Sequence, residues 1–341
     1  MPAGAGPRSR PPAAGTREDA RVHVWRSMAD VPASLGRTVV TIGNFDGVHR
    51  GHQHVVSRAR EVAHQLGGPG GGLPVVAVTF DPHPFAVLRP EHAPPTLTDL
   101  ETRARLLETA GADEVLVVPF DREVAGWSPE RFVTEILVDT LHAAAVVVGA
   151  NFRFGARAAG DVATLAELGR THDFAAEGIA LDGGPQVWSS TYVRNCLAAG
   201  DVEGAAEALG HPFSVRGEVV KGDQRGRELG YPTANVPTSD MHAAPADGVY
   251  AGWLRRLDRP DDPALPVAIS VGTNPTFHGE RERRVESYVL DRTDLELYGV
   301  RLEVAFVSRI RGMTRFDSVE DLVARMHVDV ERTRTALGLG T

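Results

Sequence analysis

The chain has 341 residues, of which 42% are hydrophobic and 24% charged, and its formal net charge is -9 at pH 7. This is globular composition at a length that favours two domains, and the negative charge argues against a general attraction to nucleic acid or anionic membranes. No apolar stretch is long enough to span a bilayer, and the single cysteine, Cys196, excludes an intramolecular disulfide. We therefore expect a cytoplasmic protein that binds neither nucleic acid nor membrane.

Residues 1–20 are rich in proline, alanine, glycine and arginine and have no apolar core. A secretory signal requires such a core, so this segment does not fit one. A segment of this composition buries too little surface to offset the entropy of ordering it. We predict a disordered tail over 1–20, a first domain over 21–208 and a second domain over 209–341.

The first domain alternates apolar runs with stretches of helical spacing. The runs 39–42, 75–80, 115–118 and 145–148 are β-branched and apolar at every position, as in strands buried on both faces. Helical spacing predicts helices over 53–66, 99–110 and 128–141, the last with Ser128 as N-cap and Pro129 in its first turn. This alternation predicts a parallel, doubly wound, Rossmann-like α/β sheet.

The first candidate site is the sequence GNFDGVHRGH at 43–52, where the first strand leads into a helix. Ligands bind at the carboxyl ends of parallel strands, and a helix N-terminus there offers N–H groups to a phosphate. His49 and His52 are three residues apart and so share one helix face, and Gly51 between them leaves room for substrate. Two alternatives remain, a pair of surface histidines and a metal site, although no further His/Cys cluster lies nearby.

This stretch resembles the His-x-Gly-His signature of the nucleotidylyltransferase superfamily, and the lead-in before it matches as well. The resemblance implies that His49 and His52 stabilise charge at the α-phosphate of ATP while pyrophosphate leaves. It also implies ATP binding by the residues of the lead-in, Gly43, Asn44, Phe45 and Asp46.

Three further segments are similar to that superfamily. TFDPHP at 79–84 and GANFRFG at 149–155 match its flavin branch, which implies flavin binding by Asn151. The rings of Phe80, Phe152 and Phe154 could stack on a flavin or could pack in the core. SSTYVR at 189–194 resembles the second ATP-phosphate motif and implies ATP binding by Ser190, Thr191 and Arg194, the alternative being a helix N-cap serine.

No side chain of this first site is an obvious general base. An acceptor that is a phosphate monoester needs none, because its second pKa of about 6 leaves the attacking oxygen anionic at neutral pH. Catalysis then requires positioning and electrostatic stabilisation of the transferring group. Adenylyl transfer to a phosphate suits these residues.

From residue 209 the pattern changes to short apolar runs separated by glycine, proline and aspartate, at 214–220, 248–254, 267–271, 285–290 and 300–307. This pattern predicts an antiparallel β-barrel or sandwich. The last segment, 319–337, predicts an amphipathic helix packed against the barrel, with Asp317 or Ser318 as cap. Its apolar face is formed by Val319, Leu322, Val323, Met326 and Val330.

The second candidate site is GRELGYPTAN at 226–235, whose glycines let the backbone wrap phosphates. The chain lacks a Gly-x-x-x-x-Gly-Lys-Ser/Thr loop, which excludes a P-loop kinase. The segment resembles the Pro-Thr-Ala-Asn motif of riboflavin kinases, which implies that Thr233 and Asn235 hold Mg²⁺ and ATP phosphate. The alternative is an ordinary β-turn.

Four residues at and just before this motif complete the predicted ATP site: Lys221, Gly222, Gly226 and Arg227. Lys221 is the sole lysine among the 36 Lys and Arg residues. Either it is a chance survivor of an arginine bias, or its compact ammonium is hard to replace beside a phosphate.

Phosphorylation of a primary alcohol benefits from a carboxylate that accepts the hydroxyl proton. VESYVLD at 285–291 and LYG at 297–299 are similar to the riboflavin kinase patterns and imply that Glu286 is this base, against the alternative of a solvated strand carboxylate. The family often has an aromatic residue where this chain has Arg292, which leaves the contacts of that loop open.

The motifs follow family order over residues 22–337, and the chain resembles the bifunctional bacterial riboflavin kinases and FMN adenylyltransferases. This implies a barrel kinase domain that converts riboflavin to FMN with MgATP, and a nucleotidylyltransferase domain that converts FMN and ATP to FAD and pyrophosphate. Two alternatives are a nucleotidylyltransferase for another phosphorylated metabolite and a degenerate flavin-binding sensor. The kinase-like half argues against the first, and the intact candidate catalytic residues argue against the second. The oligomeric state is not predicted.

Overall fold

The computed structural model describes residues 23–68, 71–180, 188–221, 229–239, 241–275 and 281–339. The predicted tail and three predicted ATP-site residues, Gly222, Gly226 and Arg227, lie outside these ranges. Contacts divide the chain between Ser190 and Thr191 into two compact units. The functional boundary at 208/209 stays a prediction.

The first unit is built on six parallel strands in the order β1, β4, β3, β2, β5, β6. The strands are β1 His23–Trp25, β2 Thr38–Ile42, β3 Val75–Asp81, β4 Glu114–Pro119, β5 Ala143–Gly149 and β6 Ala175–Ile179. The four central strands are buried along almost their whole length, which confirms the four predicted strands and the doubly wound sheet. The prediction missed the edge strands β1 and β6, which are short and mostly half-buried or exposed.

Helices connect these strands: α1 Arg50–Gly67, α2 Pro84–Leu88, α3 Leu100–Ala110, α4 Arg122–Ala125, α5 Pro129–Phe132 and α6 Val162–His172. A π-helical stretch, Val133–Thr140, continues α5. The three predicted helices are confirmed, and Ser128 caps α5 as expected by accepting a hydrogen bond from the Arg131 N–H at 3.2 Å. Asp99 caps α3 in the same way.

The second unit contains most of α7 Ser190–Ala199, then α8 Val202–Leu209 and six antiparallel strands in the order β7, β12, β9, β10, β11, β8. The strands are β7 Ser214–Glu218, β8 Thr233–Thr238, β9 Gly248–Arg256, β10 Leu265–Pro275, β11 Arg281–Val289 and β12 Arg301–Arg311. The Val220 N–H donates to the Asn235 carbonyl at 2.9 Å, so the sheet nearly closes into the predicted barrel. Gly217 permits this closure, because a Cβ there would lie 2.5 Å from Val236 Cγ1.

The terminal helix α9, Val319–Ala336, confirms the predicted segment, with Ser318 as its cap. Its predicted buried face is only partly correct, since Val319 is 55% exposed while Asp329 and Thr333 are buried. Asp329 receives a bidentate pair from Arg311 of β12, with Nε–Oδ1 at 3.0 Å and Nη2–Oδ2 at 2.7 Å. A buried ion pair thus replaces an apolar contact, which apolar periodicity could not reveal.

Candidate active sites

The loop between β2 and α1 carries the first motif and is fixed by buried side chains. Phe45 and Asp46 are each 1% exposed. The Asp46 carboxylate accepts hydrogen bonds from the Leu97 N–H at 2.9 Å and the Thr98 N–H at 3.1 Å. The side chains of Phe45 and Asp46 therefore build the loop, and their predicted contact with ATP would involve main-chain atoms.

Gly43 and Asn44 begin this loop. A Cβ at Gly43 would lie 3.2 Å from the Phe45 ring, so the ring covers this position closely. The Asn44 side chain lies 3.3 Å from Nε2 of His83, and the Asn44 carbonyl accepts from the Thr79 hydroxyl at 3.0 Å. Both residues are thus held at the carboxyl ends of β2 and β3, where a parallel sheet binds ligands.

His49 and His52 lie together at the N-terminus of α1. His49 is the extended N-cap residue, and its ring stacks on that of His52 with centroids 3.7 Å apart and planes 24° apart. Phe45 packs edge-on against His52 at 5.2 Å. A Cβ at Gly51 would lie 3.1 Å from the His49 ring, so glycine makes room for the imidazole in addition to any substrate.

Protonation of His52 is unfavourable at this position. Burial, followed by the neighbouring His49 and the Arg103 guanidinium, holds the pKa of His52 well below its usual range. His52 is therefore neutral at pH 7 and can present one ring N–H as a hydrogen-bond donor. Any stabilisation of phosphate charge by His52 would come from hydrogen bonding and not from an imidazolium.

The start of α7 contributes a hydroxyl to this loop. Ser190 Oγ donates to the Asp46 carbonyl at 2.9 Å. Thr191 and Arg194 follow in the first turn and a half of α7, and their ATP binding stays a prediction. Cys196 is buried further along α7.

The predicted flavin residues occupy different environments. Asn151 is exposed just beyond the end of β5, and Phe152 is half-buried. Phe80 and Phe154 are buried in the core, where Phe120 lies edge-on to Phe80 at 5.6 Å and Phe132 lies 5.5 Å from Phe154. Core packing accounts for Phe80 and Phe154, so their stacking on flavin stays a prediction that this burial argues against.

The second motif and the predicted base lie on neighbouring strands. Asn235 of β8 is directly opposite Glu286 of β11, and Thr233 is opposite Tyr288. Opposite residues of antiparallel strands project to the same face with Cβ atoms roughly 4.5–5.5 Å apart. The fold therefore brings Thr233, Asn235 and Glu286 together, although about 50 residues separate them in sequence.

Asn235 has an orphaned acceptor. The residue is 6% exposed, and its Nδ2 donates to the Thr233 carbonyl at 3.3 Å and lies 3.4 Å from the Thr233 hydroxyl. Within the described part of the chain its Oδ1 is buried without a hydrogen-bond partner. Oxygen atoms of this kind are the ligands that Mg²⁺ accepts beside phosphates and water.

A pocket lies where β8 begins and β11 ends. Ser287 lines it, whereas Glu286 is not among its lining residues. Arg292, also in the lining, forms a bidentate pair with Asp294 at 2.6 and 2.9 Å, which defines the loop contacts that the sequence left open. The remaining lining includes Val219, Pro232, Thr233, Ala234, Asn235, Val289 and residues 293 and 295–298.

Lys221 is exposed and directly follows Val220, the residue bonded to the Asn235 carbonyl. It therefore lies beside the strand that carries the second motif. Among the described residues, no group of three or more His, Cys, Asp or Glu side chains could hold a metal ion.

Comparison with known proteins identifies the two units. Residues 31–187 match the FAD synthetase family, and residues 209–337 match the riboflavin kinase family. A bifunctional riboflavin kinase/FMN adenylyltransferase from Escherichia coli strain K12 is 38% identical over 303 residues, covering 88% of this chain and 93% of that protein. One from Pseudomonas fluorescens is 39% identical over 299 residues, covering 87% and 92%.

The chain belongs to the bifunctional riboflavin kinase/FMN adenylyltransferase family. As a member of this family it phosphorylates riboflavin to FMN and adenylylates FMN to FAD, with riboflavin, FMN and ATP as substrates. This confirms the predicted function over the two alternatives, a transferase for another metabolite and a sensor.

A solved structure supports the fold. It belongs to a Streptococcus pneumoniae protein described as a macrolide-efflux protein, and aligns with a TM-score of 0.80 at 30% identity, covering 92% of this chain and 99% of that one. The efflux description applies to that protein. In the part of this chain that the structure describes, no helix combines the length and apolarity needed to cross a membrane.

Proposed function

We propose that His49 and His52 serve FMN adenylylation, and that Thr233, Asn235 and Glu286 serve riboflavin phosphorylation. The observation that carries the second assignment is the cross-strand pairing of Asn235 with Glu286. It puts an oxygen donor for a metal–phosphate complex next to a carboxylate, as phosphoryl transfer to an alcohol requires.

In adenylylation, a phosphate oxygen of FMN attacks the α-phosphorus of ATP and pyrophosphate leaves. The attacking oxygen is already anionic at neutral pH, so no residue needs to remove a proton. The first N–H groups of α1 and the neutral ring N–H of His52 stabilise charge that develops at the α-phosphate. His49, stacked against His52, limits the orientations of that ring.

In phosphorylation, Glu286 accepts the proton of the riboflavin 5′-hydroxyl as that oxygen attacks the γ-phosphorus of ATP and ADP leaves. Thr233 Oγ1 and Asn235 Oδ1 would hold Mg²⁺, and the orphaned Oδ1 suits this role. When bound, the ion neutralises phosphate charge. Lys221 and the glycine-rich segment, with Gly222, Gly226 and Arg227, would complete the phosphate contacts.

Consecutive strand residues point to opposite faces, so the side chains of Glu286 and Ser287 lie on opposite faces of β11. Ser287 lines the pocket and Glu286 does not, while the base must contact the acceptor alcohol. We assign the pocket to ATP, because Thr233 and Asn235, the proposed ligands of the metal and phosphates, line it, and we place riboflavin beside the Glu286 carboxylate. Thr233 and Asn235 line the pocket and also share a face with Glu286. We therefore place the phosphates of ATP between the pocket and the Glu286 carboxylate.

We also propose that the enzyme acts in the cytoplasm without nucleic acid or membrane partners. The support is its negative net charge and its single cysteine.

Selective loss of one reaction tests the assignment. Glu286→Ala is expected to abolish FMN formation from riboflavin and to leave conversion of FMN to FAD intact. The double change His49→Ala and His52→Ala is expected to do the reverse. Products are separated by chromatography after incubation with riboflavin or FMN and MgATP. If either variant lost both activities while it remained folded, the two-site assignment would be wrong.

A further inference from the structure

Helix α3 carries an arginine whose guanidinium is buried beneath the first candidate site. Arg103 is 4% exposed. Its Nη1 donates to the Thr79 hydroxyl at 3.2 Å and to the Phe80 carbonyl at 3.2 Å, and its Nη2 donates to the Thr98 carbonyl at 3.4 Å. Among the described residues, the hydrogen-bond acceptors of this buried cation are thus uncharged oxygens, while the nearby carboxylates of Asp46, Asp81 and Asp99 offset the cost of its burial.

The acceptors of Arg103 connect it to the motif loop. The Thr79 hydroxyl donates onward to the Asn44 carbonyl at 3.0 Å. Thr98 donates its N–H to Asp46 at 3.1 Å, and its hydroxyl accepts from the Gly47 N–H at 3.2 Å. The guanidinium therefore ties the end of β3 and residue 98 to the loop that leads into His49.

The charge of Arg103 also acts on the histidine pair. Burial lowers the pKa of Arg103, and the carboxylates of Asp46, Asp81 and Asp99 oppose that change, so the group remains a cation at neutral pH. Two neighbouring groups lower the pKa of His52 electrostatically: His49, at the start of α1, and Arg103, on α3.

We propose that Arg103 is a positioning residue for FMN adenylylation: its hydrogen bonds fix the loop that leads into His49. This role rests on the proposed assignment of adenylylation to the histidine pair. Arg103 was not among the residues predicted from the sequence, because its burial between Thr102 and Ala104 of α3 is apparent only in the structure.

The test compares Arg103→Met, which keeps the length and removes the charge, with Arg103→Lys, which keeps the charge. Arg105→Met, at an exposed arginine of the same helix, is the matched control. We expect Arg103→Met to lower kcat for FMN adenylylation by about 100-fold, the scale of a small misplacement of reacting groups. The kcat of Arg103→Lys for FMN adenylylation should be at least about tenfold higher than that of Arg103→Met. All three variants should phosphorylate riboflavin at the parent rate.

A second readout separates positioning from general packing. Histidine side-chain NMR should show the pKa of His52 rising in Arg103→Met and staying low in Arg103→Lys. For the case in which Arg103→Met does not fold, Thr79→Val removes the relay to Asn44 while it keeps the guanidinium and the side-chain shape. We expect Thr79→Val to lower adenylylation about tenfold.

Each contrary result has a distinct meaning. Parent-like adenylylation in folded Arg103→Met or in Thr79→Val would overturn the proposal, as would an Arg103→Lys variant as inactive as Arg103→Met. Loss of riboflavin phosphorylation with adenylylation retained would instead overturn the underlying assignment of the two reactions to the two units.

Discussion

Acidification should destabilise the first unit through His52, and the size of the effect follows from its environment. The unfolded chain takes up a proton on this histidine as the pH falls through about 6.5. The folded protein does not, because burial, His49 and Arg103 hold the pKa of His52 well below that value. The unfolded state then binds more protons than the folded state, so stability decreases as the pH falls.

The loss can be estimated for a change from pH 7.5 to pH 5.5. At pH 5.5 the unfolded histidine is about 90% protonated, and because the folded pKa lies well below 6.5 this costs up to about 1.4 kcal/mol of unfolding free energy, the value for a folded ring that stays wholly neutral. At pH 7.5 the same difference is below about 0.1 kcal/mol. His52→Asn removes the titrating group, so on acidification the variant should lose less stability than the parent, by up to about 1.4 kcal/mol.

Urea unfolding followed by tryptophan fluorescence measures this difference. In a Trp253→Phe background the remaining tryptophans, Trp25, Trp127 and Trp188, all belong to the first unit. His54→Asn, at an exposed histidine of the same helix, is the control and should behave as the parent does. The reasoning fails if His52→Asn and the parent lose equal stability between pH 7.5 and 5.5, or if His54→Asn alone removes the dependence.

Two further predictions concern the barrel unit. Asn235→Ala should lower kcat/KM for riboflavin phosphorylation at least about 100-fold and raise the Mg²⁺ concentration needed for the half-maximal rate. FAD formation from FMN should be unchanged. An unaltered Mg²⁺ titration would contradict the proposed metal ligand. Asp329→Ala leaves the Arg311 guanidinium without its carboxylate and should lower the unfolding free energy by about 3–5 kcal/mol in urea. Asp258→Ala removes the solvent-exposed carboxylate of another arginine–aspartate pair and should lower the unfolding free energy far less than Asp329→Ala; equal losses would refute the argument.

The sequence was most informative where one physical requirement governs every position. The central strands of the first unit are covered on both faces, so their runs are apolar throughout and could be read directly. By contrast, β8 has the sequence TANVPT, in which asparagine and proline hide the strand. The prediction therefore identified Asn235 and Glu286 by family pattern, whereas their direct pairing depends on a register that the sequence does not state.

Buried polar groups account for most of what the sequence could not show. Asp329 on α9 and Arg103 on α3 occupy positions that apolar periodicity assigns to the surface or leaves unexplained. Their partners, Arg311 and Thr79, are distant in sequence and meet them only in the fold. The expected flavin stacking of Phe80 and Phe154 shows a second limit of the sequence. A phenylalanine in a motif looks the same in the sequence whether its ring binds a ligand or packs in the core, and here both rings lie in the core.

The charge balance of the first site connects these observations to its chemistry. Adenylylation brings an FMN phosphate against the triphosphate of ATP, so two anions must approach each other. A neutral His52 supplies hydrogen bonds but no net charge to offset that repulsion. We therefore expect the positive potential to come from groups that stay charged or polar at all working pH values, among them the N-terminus of α1 and the buried guanidinium of Arg103. Because such a source does not titrate near neutrality, adenylylation in this protein should vary little between pH 6.5 and 8, and a steep rise on acidification through pH 6.5 would show that an imidazolium supplies the charge instead.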